Sequence, residues 1–134
     1  MQDYFKIFGL KRQFDINPEK LDDAYFELQR QFHPDVFKNS KQNEAEAMQK
    51  SALYNLAYKT LQNPQKRAEY MIGDEKLEAS PELLMEMMEL RESGNVDDVK
   101  KEIAKLYKQF AKTEDKETFV RIKYLSRFIE ESKN

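Results

Sequence analysis

The chain has 134 residues, 36% of them charged, a net charge near −2, and neither cysteine nor tryptophan. That length allows one ordinary domain or two small ones, and a charge-rich composition with three glycines and four prolines suits an all-helical protein. The composition excludes a disulfide scaffold, a thiolate metal site and cysteine catalysis, and it lacks the basic footprint of a nucleic-acid binder. With His33 as the one histidine, no ligand set for zinc is present and no cofactor is expected. No apolar stretch approaches 18 residues, so no membrane span is expected. Met1-Gln2-Asp3-Tyr4 lacks the basic region of a signal peptide, which makes the cytoplasm the expected location.

Asp3-Tyr4-Phe5-Lys6-Ile7-Phe8-Gly9-Leu10 predicts about one helical turn, with Tyr4, Phe5 and Phe8 as buried anchors and Gly9 as its end. Asn17 is a preferred N-cap, Pro18 is pre-set for the first helical position and Glu19 complements the positive helix end. Ile16 and Leu21 have the spacing of a hydrophobic staple around that cap. Leu21, Tyr25, Leu28 and Phe32 follow at helical spacing, and Pro34 disfavours the α region at the residue before it. A helix over 18–33 is therefore predicted. His33 suits its C-terminus, but a carboxylate at Asp35 faces the negative pole at a cost of a few tenths of a kcal/mol. Local stability gives no reason for Asp35.

After a polar connection broken only by Val36 and Phe37, a second long helix is predicted over 41–62 and ended by Asn63-Pro64. Ala45, Met48, Ala52, Leu56 and Leu61 are its expected buried side, flanked by Tyr54 and Tyr58. Two such helices joined by a short loop pack antiparallel, which puts His33-Pro34-Asp35 at one end of a hairpin. Gln65 to Met71 reads as a short fourth helix.

The apolar period is lost from Ile72 to Ala79, so residues 1–72 are expected as one domain, 73–79 as a linker and 80–134 as a second domain. Residues 73–134, with 12 basic against 15 acidic residues, are the acidic part. Ser80-Pro81-Glu82 is another helix start, and Gly94 follows its expected end at Ser93. Asn95 caps a helix with Val96, Val99, Ile103, Leu106 and Phe110 on one face. Thr113 or Asp115 starts the last one, with Phe119, Ile122, Leu125 and Ile129 as its stripe. Three amphipathic helices with tight connections predict a small bundle.

Two features stand out as candidate sites. On the helix after Pro81, Leu83, Met87 and Leu90 can form the core face, which leaves Leu84, Met85 and Met88 as surplus apolar surface bordered by Glu89, Arg91 and Glu92. A Met-rich patch rimmed by charge suits a partner, because thioethers adapt to irregular contacts; the alternative is packing against residues 1–72. The other feature is the pair His33 and Asp35. A catalytic dyad would need a nucleophile within reach, and the chain has no cysteine, no glycine-rich phosphate loop and no serine in a nucleophile elbow. The pair is read as non-enzymatic.

His33-Pro34-Asp35 between two antiparallel helices resembles the J-domain, the module that stimulates ATP hydrolysis by seventy-kilodalton heat-shock chaperones. Asp3-Tyr4-Phe5 with Phe8-Gly9-Leu10, Leu28 to Asp35, Arg67-Ala68-Glu69-Tyr70, and Leu84-Met85-Glu86 with Glu89-Leu90-Arg91-Glu92 are similar to the HscB family, J-type co-chaperones of iron–sulfur cluster assembly. The resemblance implies an all-α protein: an N-terminal J-domain hairpin with short flanking helices, then a C-terminal three-helix bundle. It implies that His33, Pro34 and Asp35, supported by Arg30 and Lys38, contact an HscA-type seventy-kilodalton chaperone. It implies further that Leu84, Met85, Met88, Glu89, Arg91, Glu92 and Tyr124 bind the iron–sulfur scaffold protein IscU. Neither nucleic acid nor membrane is an expected partner. Rival readings are a J-protein with another client and a helical adaptor unrelated to chaperones. The chain departs from the family pattern in an acid-rich second helix with Asp22, Asp23 and Glu27, in Val36-Phe37 after the tripeptide, and in a shorter second domain. The first departure implies a dedicated chaperone rather than a general one.

Overall fold

Where the structure describes the residue before a helix, a polar side chain there satisfies the first free backbone N–H groups. The structure, a computed structural model, describes residues 3–32, 41–73 and 77–132. All regular structure among them is helical. The chain divides into two compact units, Met1–Arg67 and Ala68–Asn134.

In the first unit, Asp3 caps α1 (Tyr4–Ile7) by accepting from the Phe5 N–H at 2.9 Å. Phe5 and Phe8 are buried and Tyr4 half-buried. Gly9 then takes a φ of +65°, a turn that only glycine makes without strain, and the Leu10 N–H returns to the Phe5 carbonyl at 2.8 Å. Asn17 caps α2 (Pro18–Phe32), accepting from the N–H groups of Glu19 at 2.9 Å and Lys20 at 3.3 Å. His33, the expected last residue of this helix, lies outside the described residues.

α3 (Lys41–Gln62) runs antiparallel to α2 and is held to it by a ladder of polar and aromatic contacts. The Tyr58 hydroxyl donates to Asp22 at 2.7 Å, the Tyr25 hydroxyl to Asn55 at 3.1 Å, and the Ser51 hydroxyl to the Gln29 side-chain carbonyl at 3.0 Å. Each pair is equidistant from position 40, so one register serves the whole hairpin. The rings of Tyr25 and Tyr58 stack with centroids 4.0 Å apart. The bond to Asp22, then burial, raises the Tyr58 phenol above its ordinary pKa, so it stays a donor.

The buried face of α3 is not the predicted one. Leu61 is buried as expected, but the other inward residues are Ala47 and Ala57. Ala45 and Ala52 are exposed, as are Met48 (57%) and Leu56 (55%). Two apolar rows share α3, and the hydroxyl and amide pairs to α2 decide between them. Small alanines on the winning side let the helices approach.

Asn63 accepts from the Lys66 N–H at 3.0 Å at the start of α4 (Pro64–Ile72). Arg67 on this helix lies over the Phe14 ring at 4.5 Å and donates to the Leu61 carbonyl at 2.7 Å, which pins the connection between α1 and α2.

The second unit repeats the capping logic. Ser80 caps α5 (Pro81–Ser93), Asn95 caps α6 (Val96–Thr113) and Asp115 caps α7 (Lys116–Glu131). The last helix therefore starts after Asp115 rather than Thr113. Glu114 makes the corner in the left-handed region, φ +51°, with its N–H on the Phe110 carbonyl at 2.7 Å. α6 and α7 form the packed pair: Val99, Leu106, Phe110, Phe119, Ile122 and Leu125 are all buried. α5 joins through Leu83, also buried. Gly94 follows the helix end as expected, with an extended backbone at φ −76° rather than the left-handed one common at that position. Its role is close approach, since a Cβ there would stand 2.0 Å from the Leu90 carbonyl oxygen and 3.3 Å from the Phe128 ring.

The Asp115 cap is sensitive to acid. Burial pushes its carboxyl up, but the N–H and hydroxyl of Thr118 and the hydroxyl of Thr113 outweigh burial and hold it below the ordinary value. A depressed carboxyl contributes stability above its unfolded pKa of about 4 and loses it as pH falls through the folded value. Asp115→Ala is therefore expected to destabilise the chain by about 1 kcal/mol at neutral pH. Asp115→Asn should retain most of the cap and lose this part of the acid sensitivity. Thermal unfolding followed by circular dichroism from pH 7 to 3 measures both.

Candidate functional site

The first candidate site lies where α2 ends. His33, Pro34, Asp35 and Lys38 lie outside the described residues, in the connection that joins Phe32 to Lys41. Arg30, one turn before that connection, is exposed and forms an ion pair with Glu27 at 2.5 Å. An exposed pair three residues apart on a helix contributes little stability, so the guanidinium can exchange this carboxylate for another. Phe32 closes the described end of α2, with its ring edge against Tyr54 at 5.6 Å and the Lys50 ammonium over its face at 4.8 Å. The α2 surface is acidic overall: Glu19, Asp22, Asp23 and Glu27 against Lys20 and Arg30.

The second site is built by α5 and α7. Leu83 turns into the core, and Met87 and Leu90, at i+4 and i+7, are half-buried. The next row cannot reach that core: Leu84 is 45% exposed, and Met85 and Met88 are 64% exposed each. Between this row and α7 runs a groove of about 290 Å³. Leu84, Met88 and Arg91 line it from α5, and Tyr124 and Phe128 from α7. Met87, Leu90 and Leu125 form its floor. A groove with this lining can take apolar side chains of a partner. Charges frame it: Arg91 pairs with Glu131 at 2.9 Å, and the Arg127 guanidinium lies 5.6 Å from the Tyr124 ring centroid.

The structure thus gathers Leu84, Met88, Arg91 and Tyr124 around one groove. Met85 and Glu92 are exposed on α5 but line no part of it, and Glu89 lines a different cleft on the α6 side. Phe128 was missed by the sequence reading. Its signal was available, since it lies four residues after Tyr124 and so shares that residue's helix face. Among the described residues no group of histidine, aspartate and glutamate is arranged to hold a metal ion, and no helix is long and apolar enough to cross a membrane.

Comparison with known proteins agrees with this architecture. The DnaJ domain family matches residues 3–70. The co-chaperone protein HscB homologue of Shewanella pealeana is 40% identical over 120 residues, covering 80% of this chain and 69% of that protein. The Vibrio atlanticus homologue is 37% identical over 126 residues, covering 79% and 74%. Among solved structures, the chaperone HscB from Vibrio cholerae superposes with a TM-score of 0.81 at 28% identity, covering 98% of this chain and 96% of that one. The human co-chaperone protein HscB superposes with a TM-score of 0.84 at 27% identity, covering 99% and 81%. With a DnaJ domain in its first half and HscB-like helices throughout, the chain belongs to the HscB family of J-type co-chaperones.

Proposed function

We propose that this chain binds an IscU-type iron–sulfur scaffold protein and delivers it to a dedicated HscA-type seventy-kilodalton chaperone. It stimulates that chaperone's ATPase and so assists cluster transfer. In this reading residues 1–72 act as the J-domain, 73–79 as a linker and 80–134 as the scaffold-binding domain, in the cytoplasm. The chain performs no chemistry itself. It couples two binding events: holding the client on one surface raises the chance that the chaperone engaged by the other hydrolyses ATP on that client.

The observation that carries the reading is the exposed groove of Leu84, Met88, Tyr124 and Phe128, an apolar surface that α5 leaves outside its own core. On the chaperone side, His33, Pro34 and Asp35 make the contact, with Arg30 and Lys38 in support. Asp35 then has a purpose that helix stability does not provide. The acid-rich face of α2 supports a dedicated partner, because a chaperone surface adapted to basic J-domains would be repelled by Asp23 and Glu27. Met85, Glu89, Arg91 and Glu92 surround the scaffold contact.

Single-turnover ATP hydrolysis by an HscA-type chaperone tests the coupling. Stimulation by this chain is expected to rise further when the scaffold is present. Asp35→Ala should lower it at least about thirtyfold, the scale of losing one partner of a desolvated charge pair, with the helical circular dichroism unchanged. Stimulation indifferent to the scaffold would point to a different client, and none at all would remove the chaperone role. Leu84→Ala combined with Met88→Ala should weaken scaffold binding by about 2 kcal/mol or more, some thirtyfold, as expected of interface anchors. Lower thermal stability with unchanged affinity would instead make these residues core.

A further inference from the structure

α5 has a second cleft on its other side. It measures about 440 Å³ and lies between α5, α6 and α7. Its floor is apolar, with Leu90, Val99 and Leu106 among the lining residues. Its rim is acidic: Glu86 and Glu89 stand on α5, three residues apart, and Asp98 and Glu102 on α6, four apart. Both spacings place the two carboxylates of a pair on one helix face. The three lysines in this part of α6, Lys100, Lys101 and Lys105, do not line the cleft.

One cation already sits there. Arg121 of α7 donates to Glu86 at 2.6 Å, and its guanidinium is stabilised first by that bond and then by the charges of Glu86, Glu117 and Glu102. Among the described residues, no ion pair engages Glu89, Asp98 or Glu102. Helix dipoles explain only Asp98, which lies in the first turn of α6; Glu102 is a turn further on, and Glu86 and Glu89 are mid-helix. Four rim carboxylates against the one cation Arg121, over an apolar floor, match the two parts of a further lysine or arginine side chain, a charged head and an aliphatic stem. The cleft also adjoins the α5–α7 groove across α5, since Met87, Leu90 and Leu125 line both.

We propose that the α5–α6 cleft receives a lysine or arginine side chain of the scaffold protein whose apolar segment occupies the α5–α7 groove, so that the client straddles α5. This rests on the scaffold-binding reading above. It assigns a recognition role to Asp98 and Glu102 on α6. The groove supplies apolar contact area, and the cleft discriminates by charge and fixes the direction in which the client lies across the helix.

Calorimetric titration of the IscU-type scaffold into the full chain tests it at low and high salt. Asp98→Lys with Glu102→Lys is expected to weaken binding about tenfold or more at low ionic strength, with the deficit shrinking as salt is added. Asp98→Asn with Glu102→Gln, which adds no repulsion, should shift affinity in the same direction by less. Thermal melts of both pairs confirm folding. If both pairs bind like the parent while Leu84→Ala with Met88→Ala loses binding, the cleft plays no part and the groove reading stands. A loss that persists undiminished at high salt also overturns the proposal. If the Leu84 and Met88 variant binds normally as well, the scaffold reading fails and the cleft proposal with it.

Discussion

The antiparallel register of α2 and α3 is the constraint on which the first unit depends, and it is imposed by polar groups. Asp22 with Tyr58, Tyr25 with Asn55 and Gln29 with Ser51 are all centred on one position. A slip of either helix would break every pair together. Each bond is worth about 1 kcal/mol net, and the Tyr25–Tyr58 stack a similar amount, so the ladder adds modestly to stability. Its larger effect is specificity, because an apolar seam tolerates sliding while half-buried hydroxyls and amides without partners do not. By fixing the helix ends against each other, the ladder determines how far apart Phe32 and Lys41 stand, and hence the span that the His33-Pro34-Asp35 connection has to bridge.

The second unit solves a different problem. α6 and α7 bury a continuous seam from Val99 to Phe110 and from Phe119 to Leu125. α5 brings two apolar rows to a pair that can cover only one. Leu83 takes the place in the core, and the other row remains at the surface with a groove beside it. The helix is anchored by Leu83, with ion pairs from Glu86 to Arg121 and from Arg91 to Glu131 at its flanks. Gly94 lets the chain leave α5 close beneath Phe128. A surface helix held this way presents an exposed apolar row on a fixed axis without needing that row for its own stability.

Much of this was legible in the sequence because its causes are local. Asn17-Pro18 and Ser80-Pro81 mark helix starts through the chemistry of a few consecutive residues, and the α6 and α7 stripes have one dominant apolar face each. α3 was misread because it has two, and the choice between them is made by Asp22, Tyr25 and Gln29, twenty to forty residues away. The corner at Glu114 gave no sign, since a left-handed glutamate has no local preference behind it and is held by the helices on either side. At the site, the α5 row was readable from its excess over what one helix can bury. That Glu89 belongs to another cleft, and Phe128 to the groove, depends on the rotation of α5 and α7 about their axes.

The stacked tyrosines also give the hairpin an optical identity. The chain has seven tyrosines and no tryptophan, so its near-ultraviolet emission is not masked by indole. Tyr58 donates to a carboxylate, an arrangement that quenches phenol emission, and the Tyr25 ring lies parallel to it at 4.0 Å. Separation of α2 from α3 would release both rings at once and brighten the protein. The state of the hairpin can therefore be followed by light without a label, while a partner is added.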